Sequence, residues 1–286
     1  MARDRITTGP GAWCGGPLAA VLALALAACA PAASAPPPHD AAHPTIVSLN
    51  PCLDAILVEI APPGQVLALS HYSRDASSSS IPVGVAARYG VTGGTAEEVI
   101  AARPDLVLAS IYLPQPTKTA LEKAGLRVAT FGSPATVAES IAQVREVARL
   151  AGRSGEGEVL ADRIAAPAAV PGRPINALLW QEGEIVAGEQ TLIAELMREA
   201  GFSSDAARRG LGQADRVSLE NVLADPPGVL LVAGDAAGQR HPLVQNTYRS
   251  MIVADFDPSL LYCGGPTIPK ARDRLKAIRA EAEARR

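Results

Sequence analysis

The same pattern occurs twice, as TAEEVIAARPDLVLAS at residues 95–110 and as SLENVLADPPGVLLVAG at residues 218–234. In each stretch a hydroxyl residue can cap a helix, an acidic residue follows in the first turn, and apolar residues recur three and four positions apart. A proline then ends the helical pattern, and a short apolar run predicts a strand buried on both faces of a parallel sheet. Two similar helix-to-strand units far apart in sequence predict two similar lobes with a cleft between them.

From residue 45 onward, short apolar runs alternate with amphipathic helical patterns. Besides the two units, strands are predicted at 45–49, 65–69, 126–131, 175–181 and 184–187. Helices are predicted at 52–60, 118–124, 135–150, 154–166, 191–200 and 269–283. This alternation is typical of βαβ units. It predicts an α/β fold of two similar lobes, each a mostly parallel sheet flanked by helices, joined by a bridging helix with a ligand cleft between.

A cluster of prolines divides residues 45–286 into two parts. Pro167, Pro171 and Pro174 follow two helical patterns and mark a change in composition, where a lobe boundary is expected. We predict a first lobe over 45–150, a bridging segment over 151–174 and a second lobe over 175–286. Ligands of such sheets bind beyond the carboxyl ends of the strands, so the loops at those ends are the functional candidates.

The N-terminus has the pattern of an export signal. Arg3 and Arg5 precede an apolar run at residues 17–28, which is too short to span a membrane but suits a signal-peptide core. We therefore expect residues 1–28 to be removed.

Two cleavage sites compete after that core. Residues 26–29, LAAC, resemble a lipobox in which Cys29 is lipidated, whereas residues 33–35, ASA, resemble an ordinary export site. Pro36 would hinder ordinary cleavage, so we predict a membrane-anchored lipoprotein on the periplasmic or cell-surface side. Residues 29–44, rich in Ala and Pro, would then be a tether. The alternative is a soluble periplasmic protein in which Cys29 is only part of the signal core.

Charge and cysteine content limit the partners. The formal net charge is −3, and removal of residues 1–28 leaves 24 basic against 28 acidic residues, a net charge of −4. This balance argues against a nucleic acid partner. Only Cys52 and Cys263 remain after the predicted signal and lipidation site, too few for a disulfide framework.

Catalytic motifs are absent from the sequence: it has no GxSxG, HExxH, P-loop or GxGxxG pattern. A metal site could draw only on His71, His241 and scattered carboxylates, and these histidines are better explained as ordinary loop residues. We therefore predict no enzyme, no resident metal and no cofactor.

Aromatic residues are scarce, yet four of them follow predicted strands: Tyr72, Tyr112, Trp180 and Tyr262. Their rings could stack on a flat organic ligand or a chelate, and Arg74 could pair with an anionic group. The alternative is that they cap their sheets as ordinary packing.

The two remaining cysteines are predicted to approach the cleft from opposite lobes. Cys52 opens the helix after the first strand, and Cys263 follows the last strand. They are candidates for a disulfide clasp or for soft ligand contacts. Two buried thiols that pack as small apolar residues are an equally good explanation.

Five segments together resemble a known family, in this order: TIVSLNPCLDAILVEI, AEEVIAARPDLVLAS, AGEQTLIAELMREAG, VSLENVLADPPGVLLV and GGPTIPKARDRL. They resemble the periplasmic binding proteins of ABC importers for cobalamin, iron siderophores and haem. The resemblance implies two lobes joined by one rigid helix and a chelate as ligand, without catalysis. The sequence departs from the family pattern in two places: its predicted bridging helix is short, and it has a cysteine at position 263.

The resemblance also implies partners. Family members deliver their ligand to a dimeric permease, and an acidic residue on each lobe contacts it; the matching positions are Glu97 and Glu220. The membrane would be contacted through the lipid anchor only. Two other classes stay open: a zinc or manganese binding protein of related importers, and an enzyme that uses the same two-lobed fold.

Overall fold

The computed structural model describes residues 42–165, 170, 172–242, 244 and 251–285. The predicted signal peptide at 1–28, the lipidation site Cys29 and residues 29–41 of the tether lie outside the described residues. Within the described ranges, no helix is both long and apolar enough to cross a membrane.

The first lobe contains a five-stranded parallel sheet in the order β3-β2-β1-β4-β5. Its strands are β1 (Ile46–Ser48), β2 (Val66–Ser70), β3 (Val91–Thr92), β4 (Leu106–Ser110) and β5 (Arg127–Phe131). Its helices are α1 (Pro51–Ile60), α2 (Val83–Ala86), α3 (Ala96–Ala102) and α4 (Gln115–Lys123), with a 3-10 turn at His71–Arg74. The almost wholly apolar β4 is buried from Leu106 to Ala109, as expected for a strand covered on both faces.

The second lobe contains a four-stranded parallel sheet in the order β7-β6-β8-β9. Its strands are β6 (Ile175–Gln181), β7 (Phe202–Ser204), β8 (Val229–Ala233) and β9 (Ile252–Asp255). Its helices are α7 (Leu192–Glu199), α8 (Asp205–Arg208) and α9 (Leu219–Ala224), with 3-10 turns at Glu182–Glu184 and Pro258–Leu260. The predicted α/β class with two parallel sheets flanked by helices is therefore confirmed.

The two repeated units fold alike. Thr95 caps α3 by accepting a hydrogen bond from the Glu98 N–H at 3.3 Å, and Ser218 caps α9 by accepting one from the Asn221 N–H at 3.4 Å. β4 and β8 follow these helices and lie beside the first strand of their sheets. The hydroxyl caps predicted from the sequence are thus present in both lobes.

One predicted strand, at residues 184–187, was wrong. Gly183 and Glu184 both have left-handed backbone conformations, with φ of 69° and 65°, so the chain turns sharply after β6. Only isolated bridges follow, from Val186 to Trp180 and from Ile185 to Arg216. The strands β3, β7 and β9 were not predicted from the sequence.

Three helices lie between the sheets: α5 (Val137–Leu150), α6 (Ser154–Ala165) and α10 (Thr267–Ala284). The helices α5 and α6 form a hairpin that packs against α1, while α10 packs against α6 and α7. One continuous apolar core includes residues of both sheets and of these helices. The range predicted as a bridge, 151–174, contains α6, and the lobe boundaries themselves stay a prediction.

A buried arginine fastens α10 to this core. The side chain of Arg272 is only 6% exposed, and its Nε donates to Glu199 at 2.7 Å. It also donates to the main-chain carbonyl of Ile164 at the end of α6. One guanidinium therefore joins α10 to both the helical hairpin and the second lobe.

We expect Arg272→Met to lower the free energy of unfolding by about 2 kcal/mol or more, because it leaves a half-buried carboxylate and a carbonyl without their donor. Urea denaturation measures the change. The matched control is Arg145→Met, which removes the exposed ion pair with Glu158 and should cost about 0.5 kcal/mol or less. Equal losses in the two variants would contradict the role given to Arg272.

Candidate functional site

Loops at the carboxyl ends of the strands meet between the two sheets and enclose two neighbouring cavities. We call the first, of about 410 Å³, the amide-lined cavity, because five carboxamides line it: Asn50, Gln143, Gln181, Gln190 and Gln213. The second, of about 1040 Å³, we call the acidic cavity, because its described lining includes four carboxylates and two guanidiniums: Glu182, Asp235, Asp255, Asp257, Arg240 and Arg274. Residues of both lobes line each cavity, so this is the interlobe cleft.

A disulfide bond forms part of the wall of the amide-lined cavity. Cys52 at the start of α1 is bonded to Cys263, with 5.1 Å between their Cα atoms and 211 residues between them in sequence. The structure therefore contains the clasp that was one of the sequence-based alternatives. Neither sulfur is a free thiol, so soft ligand contacts from these cysteines do not apply.

The loop after Cys263 fits closely against the first lobe. The Gly265 N–H donates to the Ser140 hydroxyl of α5 at 2.7 Å. A Cβ atom on Gly264 would lie 2.7 Å from that same oxygen, closer than side chains tolerate. The paired glycines thus permit the close approach that brings Cys263 to Cys52.

Tyr262 lies on the boundary of the two cavities and lines both of them. Its side chain is 39% exposed, so a ligand can reach the ring. Burial raises the pKa of Tyr262 above its ordinary value, and the nearby carboxylates of Asp257, Glu182 and Asp75 raise it further. Of the four aromatic residues predicted to bind ligand, Tyr262 is the one that the cavities contain.

The prediction that Trp180 presents a stacking face to the ligand needs correction. Trp180 is only 1% exposed, and its indole N–H donates to the Val217 carbonyl at 2.9 Å. It packs in an apolar cluster of the second lobe with Val186 and Val222. The sequence placed it correctly near a strand end, but its side chain points into the core, where the alternative of ordinary packing applies.

Tyr72, Tyr112 and Arg74 lie on the first lobe outside both cavity linings. Tyr112 is 80% exposed and Tyr72 is 50% exposed, and the Tyr72 ring lies against that of His71 with 4.0 Å between the ring centroids. The Arg74 guanidinium donates to the Tyr89 carbonyl at 2.7 Å, within its own lobe. Their ligand roles stay predictions.

The carboxamides of the cleft were not singled out from the sequence. Gln181 is the last residue of β6 and Asn50 follows the end of β1 by two residues, which is a usable signal, but Gln143 lies within α5 and Gln213 lies in a loop. No periodic pattern distinguishes a cleft-lining glutamine from a solvated one. Only the packing of α5 and the loop positions bring these side chains together.

A buried carboxylic acid supports the first-lobe loops. Asp54 of α1 is fully buried, and its Oδ2 accepts hydrogen bonds from the Ser70 N–H at 2.9 Å and the Ser73 hydroxyl at 2.6 Å. Its Oδ1 has no hydrogen-bond partner among the described residues. Burial raises the pKa of Asp54 to about 7, while the hydroxyls of Ser48 and Ser73 act in the opposite direction.

Glu97 and Glu220 are exposed near the starts of α3 and α9. The next residue after Glu97 is engaged locally, since the Glu98 carboxylate accepts from the Thr92 hydroxyl at 2.8 Å and the Gly93 N–H at 2.6 Å. Thr95, not Glu97, caps the N-terminus of α3. The Glu220 carboxylate accepts hydrogen bonds from its own N–H and from the Ser218 hydroxyl, which lower its pKa, but both acidic side chains lie on the surface.

Among the described residues, no group of three or more His, Cys, Asp or Glu side chains lies close enough together to hold a metal ion. The arrangement is instead a cavity pair with hydrogen-bonding and aromatic surfaces. Such a site suits reversible capture of an organic ligand.

Comparison with known proteins gives a consistent result. A family model described as periplasmic binding protein matches residues 46–248. No curated protein matches the chain in sequence.

Solved structures have the same fold. The periplasmic heme-binding protein RhuT from Roseiflexus sp. RS-1, in apo form, is 21% identical with a TM-score of 0.64, over 85% of this chain and 99% of that one. The periplasmic heme binding protein HutB of Vibrio cholerae is 17% identical with a TM-score of 0.66, over 82% and 98%. The periplasmic vitamin B12 binding protein BtuF of Vibrio cholerae is 17% identical with a TM-score of 0.59, over 84% and 97%. At these identities the likeness shows the fold alone.

The burial of Asp54 makes the free energy of unfolding depend on pH. Because its folded-state pKa is about 7 against 3.8 for an ordinary Asp, the folded protein binds an extra proton between these values. The stabilisation is fully present below about pH 4 and is lost as the pH rises to about 7. Asp54→Asn should therefore remove most of the decline in unfolding free energy between pH 5 and pH 8, measured by urea denaturation at both. An unchanged pH dependence in this variant would contradict the assignment.

Proposed function

The chain belongs to the periplasmic binding protein family, and we propose that it captures a metal chelate in its interlobe cleft and delivers it to the permease dimer of an ABC importer. Membership in this family implies an extracytoplasmic location, and binding proteins of the family deliver ligand to such importers. The family and the similar structures are binding proteins rather than enzymes. The proposed chelate is a cobalamin, a ferric siderophore or haem.

One observation carries the proposal: the carboxyl ends of two parallel sheets face a common pair of cavities lined by both lobes. Ligands of open α/β sheets bind beyond these strand ends. The combined space suits a large organic ligand rather than a bare ion. Heme and vitamin B12, the ligands for which the similar solved structures are named, belong to the same size class.

Delivery at the membrane is the second part of the proposal. Lipidation at Cys29 would hold the protein near its permease through the tether at 29–44. Glu97 and Glu220 would then contact the permease, since each occupies the same turn of the same unit in its lobe. Each of two similar permease subunits could bind one of these carboxylates.

The capture step is tested by native mass spectrometry of the protein purified from its own host, with the variants Tyr262→Ala and Tyr262→Phe. We expect a bound corrinoid, ferric chelate or haem. Loss of the ring at the centre of the cleft should weaken affinity for that ligand tenfold or more, because truncation of a buried aromatic contact typically costs about 2 kcal/mol. Tyr262→Phe keeps the ring and should stay within about threefold of the original affinity. A bare metal ion as the only ligand, or equal affinity in Tyr262→Ala, would contradict the proposal.

The delivery step is tested with the double variant Glu97→Arg/Glu220→Arg. Exposed charges at a docking surface govern encounter and orientation more than folding. We expect loss of ligand-dependent stimulation of the transporter ATPase, with ligand affinity and melting temperature nearly unchanged. The matched control is Glu122→Arg, an exposed acidic residue of α4, which should stimulate normally. Normal stimulation by the double variant would exclude the docking role.

A further inference from the structure

We infer that the cleft selects chelates that are uncharged or cationic and discriminates against those that carry carboxylates. The inference rests on the proposed function and narrows its ligand class by charge. It follows from the chemistry of the two cavities, one without charge and one with an excess of negative charge.

No Asp, Glu, Lys, Arg or His is among the described residues that line the amide-lined cavity. Its five carboxamides keep free hydrogen-bonding atoms of both kinds. The Asn50 Oδ1 is used by the N–H groups of Cys52 and Leu53, which leaves its amide as a donor. The Gln143 amide donates to the Gly132 carbonyl at 2.8 Å, which leaves its oxygen as an acceptor.

Two further carboxamides are wholly available. The side chains of Gln181 and Gln190 form no hydrogen bond with the described residues, so each offers a donor and an acceptor to a ligand. Gln213 uses only its oxygen, which accepts from the Gly188 N–H at 3.2 Å. Neutral donors and acceptors in this mixture complement amide, carbonyl or hydroxamate groups, which likewise contain both kinds.

The acidic cavity adds a negative potential at the neighbouring end of the cleft. Among the described residues of its lining, four carboxylates exceed two guanidiniums by two charges. Asp75 of the first lobe and Glu182 and Asp257 of the second raise the pKa of Tyr262, so negative groups of both lobes act on the ring between the cavities. A cation gains from this potential, whereas an anion is repelled.

The two described guanidiniums that line the acidic cavity, those of Arg240 and Arg274, both have partners. The Arg240 guanidinium is paired with Asp235 at 2.9 Å. That of Arg274 donates to the Asp255 carbonyl at 2.6 Å and lies 3.8 Å from Glu281. A ligand carboxylate entering the cleft would lose water without gaining a charged partner from the described lining, which is a costly exchange.

The test uses two matched ligand series that change charge on a constant core. The first is ferrioxamine B with its free ammonium group, its N-acetyl derivative and its N-succinyl derivative, which carry a positive, no and a negative charge. The second is cyanocobalamin and its monocarboxylic acid. Haem, with two carboxylates, completes the set. Affinities are measured by calorimetry at low and at physiological ionic strength.

We expect at least tenfold weaker binding of the anionic member than of its neutral or cationic counterpart in the series that binds, with the difference shrinking as salt is added. Haem should bind more weakly than the best neutral or cationic chelate. An anionic member or haem that binds as tightly as the others overturns the inference and leaves the proposed function standing. Failure of every chelate to bind overturns the proposed function, and the inference with it.

Protein variants locate the effect. Glu182→Gln removes one carboxylate beside Tyr262 and should reduce the discrimination at least threefold, because the negative potential at the cleft falls. Glu122→Gln, on the outer helix α4, should leave the discrimination unchanged. Full discrimination in a folded Glu182→Gln variant, checked by its melting temperature, would overturn the part assigned to the acidic cavity.

Discussion

The structure depends on an apolar core that is not divided between the lobes. It runs from the first sheet through α1, α5, α6 and α10 into the second sheet, and its members include Leu53, Val144, Ile164, Ile268 and Leu179. Separating the lobes would expose this shared core to water, at a cost of roughly 25 cal/mol for each Å² of apolar surface. The Cys52–Cys263 bond adds a covalent tie across the same junction, and a cross-link over so long a loop restricts the unfolded chain strongly. The cleft is therefore largely formed before a ligand arrives.

A preformed cleft has to select through its lining, because it cannot rely on wide closure of the lobes around the ligand. Asp54 contributes by fixing the loop of Ser70 and Ser73 from beneath, in a position where its own charge is disfavoured. The Gly264–Gly265 approach to Ser140 fixes the loop that carries Tyr262 from the other side. Such preorganisation reduces the ordering cost of binding. What remains to discriminate ligands is the pattern of hydrogen bonds and charge.

The sequence predicted the fold better than the site, and the difference has a physical cause. The units around Val99 and Val222 repeat capping, periodicity and a buried strand, which are local signals that tertiary packing reinforces. The short strands β3, β7 and β9 do not lie in a long apolar run of their own, and their pairing depends on neighbours distant in sequence. The false strand at 184–187 is apolar enough to extend, but the left-handed turn at Gly183 redirects it.

Site residues are harder because a strand end does not fix the direction of a side chain. Trp180 and Gln181 are adjacent at the end of β6, and strand alternation sends one into the core and the other into the cleft. Because aromatic residues are scarce, Trp180 was predicted to bind the ligand, and Gln181 was not. A large ring gains much free energy from burial, so Trp180 packs in the core instead. Burial of a carboxamide gains no comparable free energy, so its hydrogen-bonding atoms stay at the cleft surface, where a ligand can use them. In a rigid cleft the neutral polar residue is thus the better recognition element, because losing its water costs less than desolvating a charge.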